Sequence, residues 1–240
     1  MAVLNVCILY TDMKHPPLQL TTAPDLVEQI YARLLDAISE GTLAPGERLT
    51  QDDLAQRFAV SRQPVLQALR LLKKDGFVED APGRGVQVTP LDVDWIAQVY
   101  QVRGSLDALA VRLAAERRAQ LDPELMRQGR WVHQTRDVQA MIQADLAFHR
   151  AIYQASGNPL IAQSIDLHWH HLKRVMGAVL QSSDQRQTVW DEHEAIAQAI
   201  AAGDADVAVR LVQEHAHEAS VQLTARLSEQ IQHRITGAKI

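Results

Sequence analysis

The hydrophobic pattern of this 240-residue chain changes character at Thr89-Pro90, and that change constrains its architecture more than any other feature. Before it, helical spacing gives way to a short run of period two; after it, every segment keeps helical spacing. In the first part, Asp25 is placed to cap a helix in which Ile30, Leu34 and Ile38 recur one turn apart, ended by Gly41 and the Ala44-Pro45-Gly46 turn. Thr50 caps a short second helix with Leu54, Ala55 and Phe58 as its inward stripe. Ala59-Val60 turns into a third helix capped by Ser61, where Pro64 falls in the first turn and removes no hydrogen bond. Val65, Ala68, Leu69 and Leu72 face inward there. Phe77-Val78 and Val86-Gln87-Val88 alternate as two strands around Ala81-Pro82-Gly83-Arg84-Gly85. A helix, a helix-turn-helix and a hairpin in that order predict a winged helix, whose third helix enters the major groove of DNA.

Beyond Pro90, Asp92 caps a long helix carrying Ile96, Val99, Leu106, Leu109 and Leu113. Asp122-Pro123 starts another, a third runs from about Asp137 to Ala155 and stops at Ser156-Gly157-Asn158, and Pro159 opens a fourth. The last two, Thr188 to Ala202 and Asp204 to about Gln230, are joined by Gly203 alone and predict an antiparallel hairpin. The expected fold is therefore mainly α: a winged helix-turn-helix with a small β-hairpin wing over 23–90, and an all-α antiparallel bundle over 91–232. Residues 1–22 are expected to be a disordered tail, in which Met13 is as good a start as Met1, and 233–240 a C-terminal tail.

A net charge of −5 argues against a protein that coats nucleic acid indiscriminately. Residues 1–90 hold 9 Lys and Arg against 11 Asp and Glu, yet Arg62 to Lys74 contains Arg62, Arg70, Lys73 and Lys74 and no acid before Asp75. Positive charge is concentrated on the groove helix. The single cysteine, Cys7, excludes an intramolecular disulfide framework and suits a reducing compartment. The apolar opening Met1 to Tyr10 has no basic flank or cleavage site and is too short to span a bilayer, so a cytoplasmic protein without a membrane partner is expected.

Nine of the ten histidines lie after residue 130. Asp145 and His149 are four apart, which sets a carboxylate and an imidazole on one helix face. His193 precedes Gly203 by ten residues and His215 follows it by twelve, so the two come nearly level across the hairpin. Three imidazoles and one carboxylate suit a divalent transition metal: zinc or nickel first, with manganese, iron or cobalt as further choices. The same spacing suits partly exposed polar positions on an amphipathic pair, and both readings stay open here. His217 points to another face, and His168, His170 and His171 scatter around their helix, which favours a packed or solvated role.

The chain resembles the GntR family of bacterial regulators, in the FadR-like group with a C-terminal FCD domain. The resemblance runs from about Asp25 to Leu227 and rests on Leu43-Ala44-Pro45-Gly46-Glu47-Arg48-Leu49, Leu54-Ala55 to Val60-Ser61-Arg62, Pro64-Val65 with Ala68-Leu69, and Asp75-Gly76-Phe77-Val78. In the second half it rests on Val102-Arg103, Asp145 to His149 running into Ser156-Gly157-Asn158-Pro159, Glu192-His193, Gly203-Asp204 and His215. It implies a homodimer on an imperfectly palindromic double-stranded operator, usually a repressor, that responds to a small organic acid docked on a metal. Asp145, His149, His193 and His215 match the metal set, and Arg103 matches an arginine facing the same cavity, where a guanidinium grips a carboxylate in a two-point fork. The bland reading of Arg103 is a surface ion pair with Asp107. Asn158 also matches an effector-side position, although its residue type suits a helix C-cap.

The chain departs from the family where it would read DNA. Asp52 replaces an arginine near the start of the second helix, and Leu66-Gln67 replaces an Arg-Glu pair. Arg62, Gln63 and Gln67 remain as groove candidates, and Arg84 at the wing tip as a phosphate or minor-groove contact. The operator is accordingly expected to differ from the group's common one. A metal-dependent enzyme acting on a small organic acid is the alternative, but no His-Glu-x-x-His, Gly-x-Ser-x-Gly or glycine-rich phosphate loop is present.

Overall fold

The computed structural model describes residues 26–135, 137–180 and 188–237, so the expected 1–22 tail and the Asp25 cap lie outside the described residues. The first unit contains α1 (Leu26–Ser39), β1 (Arg48–Leu49), α2 (Gln51–Phe58), α3 (Arg62–Lys74), β2 (Val78–Asp80) and β3 (Val86–Val88). The second contains α4 (Val93–Glu116), α5 (Pro123–Thr135), α6 (Val138–Ala155), α7 (Pro159–Val179), α8 (Val189–Ala202) and α9 (Ala205–Gly237). Each unit has its own apolar core.

In the first unit most local signals act as expected, although Ser61 stands at the N-cap of α3 without a side-chain capping bond. Thr50 accepts the Asp53 backbone N–H at 3.2 Å to start α2. Ala59 ends that helix in the left-handed region, φ 53°, which lets the chain reverse within two residues into α3. Val65, Ala68, Leu69 and Leu72 are buried against α1. Phe77, expected to begin a strand, instead closes α3: its N–H bonds to the Leu72 carbonyl at 2.9 Å. The strand proper starts at Val78 and continues through Glu79 to Asp80. Two residues, Arg48 and Leu49, add an unexpected strand, giving the antiparallel order β1-β3-β2 with Arg48 opposite Gln87. Two residues are too few to show an alternating pattern in sequence.

In the second unit Asp92 Oδ1 accepts the Trp95 N–H at 2.8 Å and opens α4. Leu109 is exposed, not part of the core stripe; the buried face runs through Ile96, Val99, Tyr100, Arg103, Asp107, Ala110 and Val111. Small residues on that face let α9 lie close along α4, the most extensive helix pairing in the molecule. Gly203 ends α8 with φ 82°, the left-handed turn that folds α9 back on it. The backbone of α9 stays helical to Gly237, beyond the expected boundary at 232.

The two units meet on α7. Trp169 is buried in the bundle core, while its neighbours reach the winged unit: His170 Nδ1 lies 3.1 Å from Ser39 Oγ, and His171 stacks on Phe77 at 4.0 Å. His168, His170 and His171 are thus spread around α7, with the last two packed at the junction.

Candidate metal and effector centre

Helix α6 presents Asp145 and His149 one turn apart, and the α8–α9 hairpin brings His193 and His215 level. The Nε2 atoms of His193 and His215 are 3.4 Å apart. Asp145 Oδ1 lies 3.5 Å from His193 Nε2 and 4.0 Å from His149 Nε2. One ligand-capable atom from each of the four residues falls within 4.8 Å of the others. All three imidazoles are buried and Asp145 is half-buried. Phe148 stacks on His193 at 4.1 Å and Trp190 meets it edge-on at 4.7 Å, fixing the ring.

The protonation pattern suits coordination. Glu192 Oε2 lies 2.9 Å from His215 Nδ1, a contact that makes Nδ1 the donor and turns Nε2 toward His193. Burial pushes the His149 imidazole well below its ordinary pKa, and the charges of Arg103, His193 and His215 push it the same way. His149 is therefore neutral, as a metal ligand must be. Three imidazole nitrogens and one carboxylate oxygen are a donor set that could hold a divalent transition metal.

Arg103 is 2% exposed and holds together the opposite wall. Its Nε donates to Asp107 Oδ2 at 3.1 Å, its Nη2 donates to His149 Nε2 at 2.6 Å, and its guanidinium lies 4.3 Å over the Trp169 ring. Tyr153 donates to the other Asp107 oxygen at 2.6 Å. Burial alone would lower the arginine's pKa, but Asp107 beside it holds it above the ordinary value. The anticipated pair with Asp107 exists, but it is buried rather than on the surface. Arg103 also faces a cavity of about 110 Å³, whose lining includes Tyr100, Asp145, Met176, His215 and Arg226. That is room for a small organic acid: an apolar cavity of about 150 Å³ accommodates benzene.

Asn158 does not join this group. Its side chain accepts the Leu160 N–H at 3.1 Å, so it caps the start of α7 instead of the end of α6, and it is absent from the described cavity lining. Sequence reasoning gave Glu192 no role of its own and did not single out Arg226. Glu192 directly precedes a candidate ligand, and Arg226 follows His215 by about three helical turns on the same face of α9, which is the signal that would have found it.

On the winged unit, Arg62 and Gln63 are exposed in the first turn of α3 and Gln67 is half-buried. Asp52, the acid in place of the expected arginine, pairs with Arg62: Oδ1 and Nε are 2.5 Å apart, with the side chains 64% and 73% exposed. Arg84 is exposed at the wing tip, and its carbonyl accepts a hydrogen bond from the Arg48 guanidinium, which brings a second arginine to the wing. Arg48 had no predicted role because β1 was not foreseen.

Residues 26–88 match the gntR family of bacterial regulatory proteins, and residues 98–218 match the FCD domain. A regulator in an unstable DNA locus of Streptomyces ambofaciens, described as an HTH-type transcriptional regulator, is 30% identical over 191 residues, covering 78% of this chain and 80% of its own. The HTH-type transcriptional regulator LutR of Bacillus subtilis is 27% identical over 225 residues, covering 81% of this chain and all of its own. Among solved structures, McbR/YncC of Escherichia coli superposes with TM-score 0.70 at 22% identity, covering 85% of this chain and 99% of that one. A putative GntR regulator from Rhodococcus gives 0.69 at 23%, covering 83% and 97%. The chain belongs to the GntR family, with a winged helix-turn-helix followed by an FCD domain. It is a DNA-binding transcriptional regulator and not an enzyme, which removes the metalloenzyme alternative. Among the described residues no helix is long and apolar enough to cross a membrane.

Proposed function

We propose that this regulator acts as a homodimeric repressor whose hold on an imperfectly palindromic operator is controlled by a small carboxylic acid docking beside a divalent transition metal in the FCD domain. The observation that carries the reading is the convergence of Asp145, His149, His193 and His215 next to a cavity that Arg103 lines. Those four residues would hold the metal, and the metal would supply a Lewis-acidic anchor for one carboxylate oxygen. Zinc and nickel fit the nitrogen-rich set best.

Arg103 occupies the lone pair that His149 needs for coordination, since an arginine only donates. Releasing His149 frees Nη2 for the acid's second oxygen, so metal and effector favour the same rearrangement. Glu192 is a positioning residue that keeps His215 Nε2 turned inward. Val102, Leu106, Leu109 and Leu113 follow a heptad-like spacing on α4; Val102 and Leu109 are exposed, and this stripe is the face we assign to the dimer. Arg62, Gln63 and Gln67 are assigned to the groove and Arg84 to the backbone or minor groove.

Metal analysis of protein purified without chelators tests the core of this reading. About one metal per chain is expected in the wild type, with most of it lost in His149→Ala and His215→Ala. Unchanged content in both variants would remove the metal. For DNA, Arg62→Ala is expected to abolish the shift of a palindrome-bearing duplex, and a thermal-shift screen of small carboxylic acids should give a hit that needs both metal and Arg103.

A further inference from the structure

The junction between the winged unit and the bundle contains a second cavity, of about 280 Å³, which the reading above does not use. Gly76, Thr89, Trp95, Ile96, His171 and Arg174 are among its walls. Arg174, from α7, is 7% exposed. Its Nη2 donates to the Thr89 carbonyl, its Nε is fully buried with no hydrogen-bond partner, and its guanidinium lies 5.9 Å from the Phe77 ring centre. Among the described residues no carboxylate pairs with it. Arg103 makes the contrast plain: it is buried still more deeply, but carries Asp107 at 3.1 Å. Burial pushes the Arg174 guanidinium down to about 10, which leaves it charged at neutral pH. A buried cation with one neutral acceptor lacks the counter-charge that burial ordinarily requires.

The rest of the cavity is flat and apolar. His171 stacks on Phe77, and Trp95, half exposed, meets the His171 ring at 5.8 Å. Burial holds His171 at about 4, so at neutral pH it offers an uncharged face. Asp92 also lines the cavity, but its Oδ1 is engaged by the Trp95 N–H at 2.8 Å, where the start of α4 offsets its charge.

We propose that this cavity is a second ligand site, which takes a small organic anion with a flat apolar body: a carboxylate against Arg174 and a ring against Trp95 and His171. The proposal is independent of the metal. The site adjoins Gly76, directly after the Asp75 cap of α3, and His171 Nε2 lies 3.2 Å from the Asp75 carbonyl. An occupant therefore bears on how the recognition helix is held against the bundle, and shifts operator affinity if it binds one arrangement more tightly.

Benzoate is the probe, titrated into the full-length protein and followed by calorimetry and tryptophan fluorescence. Saturable binding at about millimolar or tighter is expected, with acetate weaker. Arg174→Gln should weaken benzoate about tenfold or more, Trp95→Ala severalfold, and His193→Ala not at all. Trp95 is on the surface, so its variant decides the matter if Arg174→Gln does not fold. No saturable binding to the wild type, an unchanged affinity in Trp95→Ala, or loss in His193→Ala with retention in Arg174→Gln would each overturn the proposal; the last would move benzoate to the effector cavity.

Discussion

In the bundle, Asp145, His149, His193 and His215 are gathered by buried neighbours, whereas in the winged unit Arg62, Gln63 and Arg84 stand in solvent on the rim of a separate core. The difference is one of cost. Burying ionisable groups is costly unless they find partners, and Arg103, Asp107, His149 and Tyr153 form a buried network in which one loss strands another. Exposed arginines are solvated in the free protein, so they can change without disturbing the fold. Substitutions should therefore separate the two regions by stability as well as by function.

The largest effect is expected at the centre of the buried network. Arg103→Ala leaves Asp107 without its cation and should cost about 3–5 kcal/mol in denaturant unfolding. A loss within the range of surface variants would break the contrast. Next comes the junction. His171 is held at about 4 against an ordinary 6.5, so the unfolded chain binds more protons between those values and stability falls as pH drops through that window. Above 6.5 this contribution is fully present. The pH profile of His171→Phe, compared with wild type between pH 6.5 and 4, should be flatter by up to about 3 kcal/mol.

A smaller loss is expected from filling space. A Cβ on Gly129 of α5 would come within 2.1 Å of the Trp190 ring, which backs His193. Gly129→Ala should cost about 1–3 kcal/mol and lower metal content by displacing that ring. An unaffected melting temperature would show that the ring behind His193 yields freely. The smallest stability change belongs to the winged unit. Asp52→Asn breaks only an exposed pair, so folding should change by less than about 1 kcal/mol. Operator affinity should nevertheless rise, with a steeper salt dependence, because Arg62 is released and a phosphate-repelling charge removed. Weaker binding would mean that Asp52 positions Arg62 instead of restraining it.

Most elements were legible because their signals are local. Thr50, Asp92 and Gly203 mark helix ends through bonds or dihedrals made within a few residues. The failures share a cause as well. The β1 strand exists only because Val86 and Gln87 offer it a partner, and Leu109 is exposed although its spacing fits the same run of apolar residues as Ile96 and Val99. Periodicity identifies an apolar face but not which neighbour covers it. Asn158 shows the same ambiguity: a residue between two helices suits the end of one or the start of the next, and the Leu160 N–H decided for α7.

By itself the sequence determined the order of helices and hairpin and the level of His193 with His215 across Gly203, since each follows from spacing along one or two adjoining helices. Only the tertiary structure decided that α6 closes on that pair, that Arg103 is a buried clamp reaching both Asp107 and His149, and that α7 turns Trp169 inward while His170 and His171 grip the winged unit. Those outcomes depend on which faces pack together. Packing is settled by the whole core at once, and no single stretch of chain encodes it.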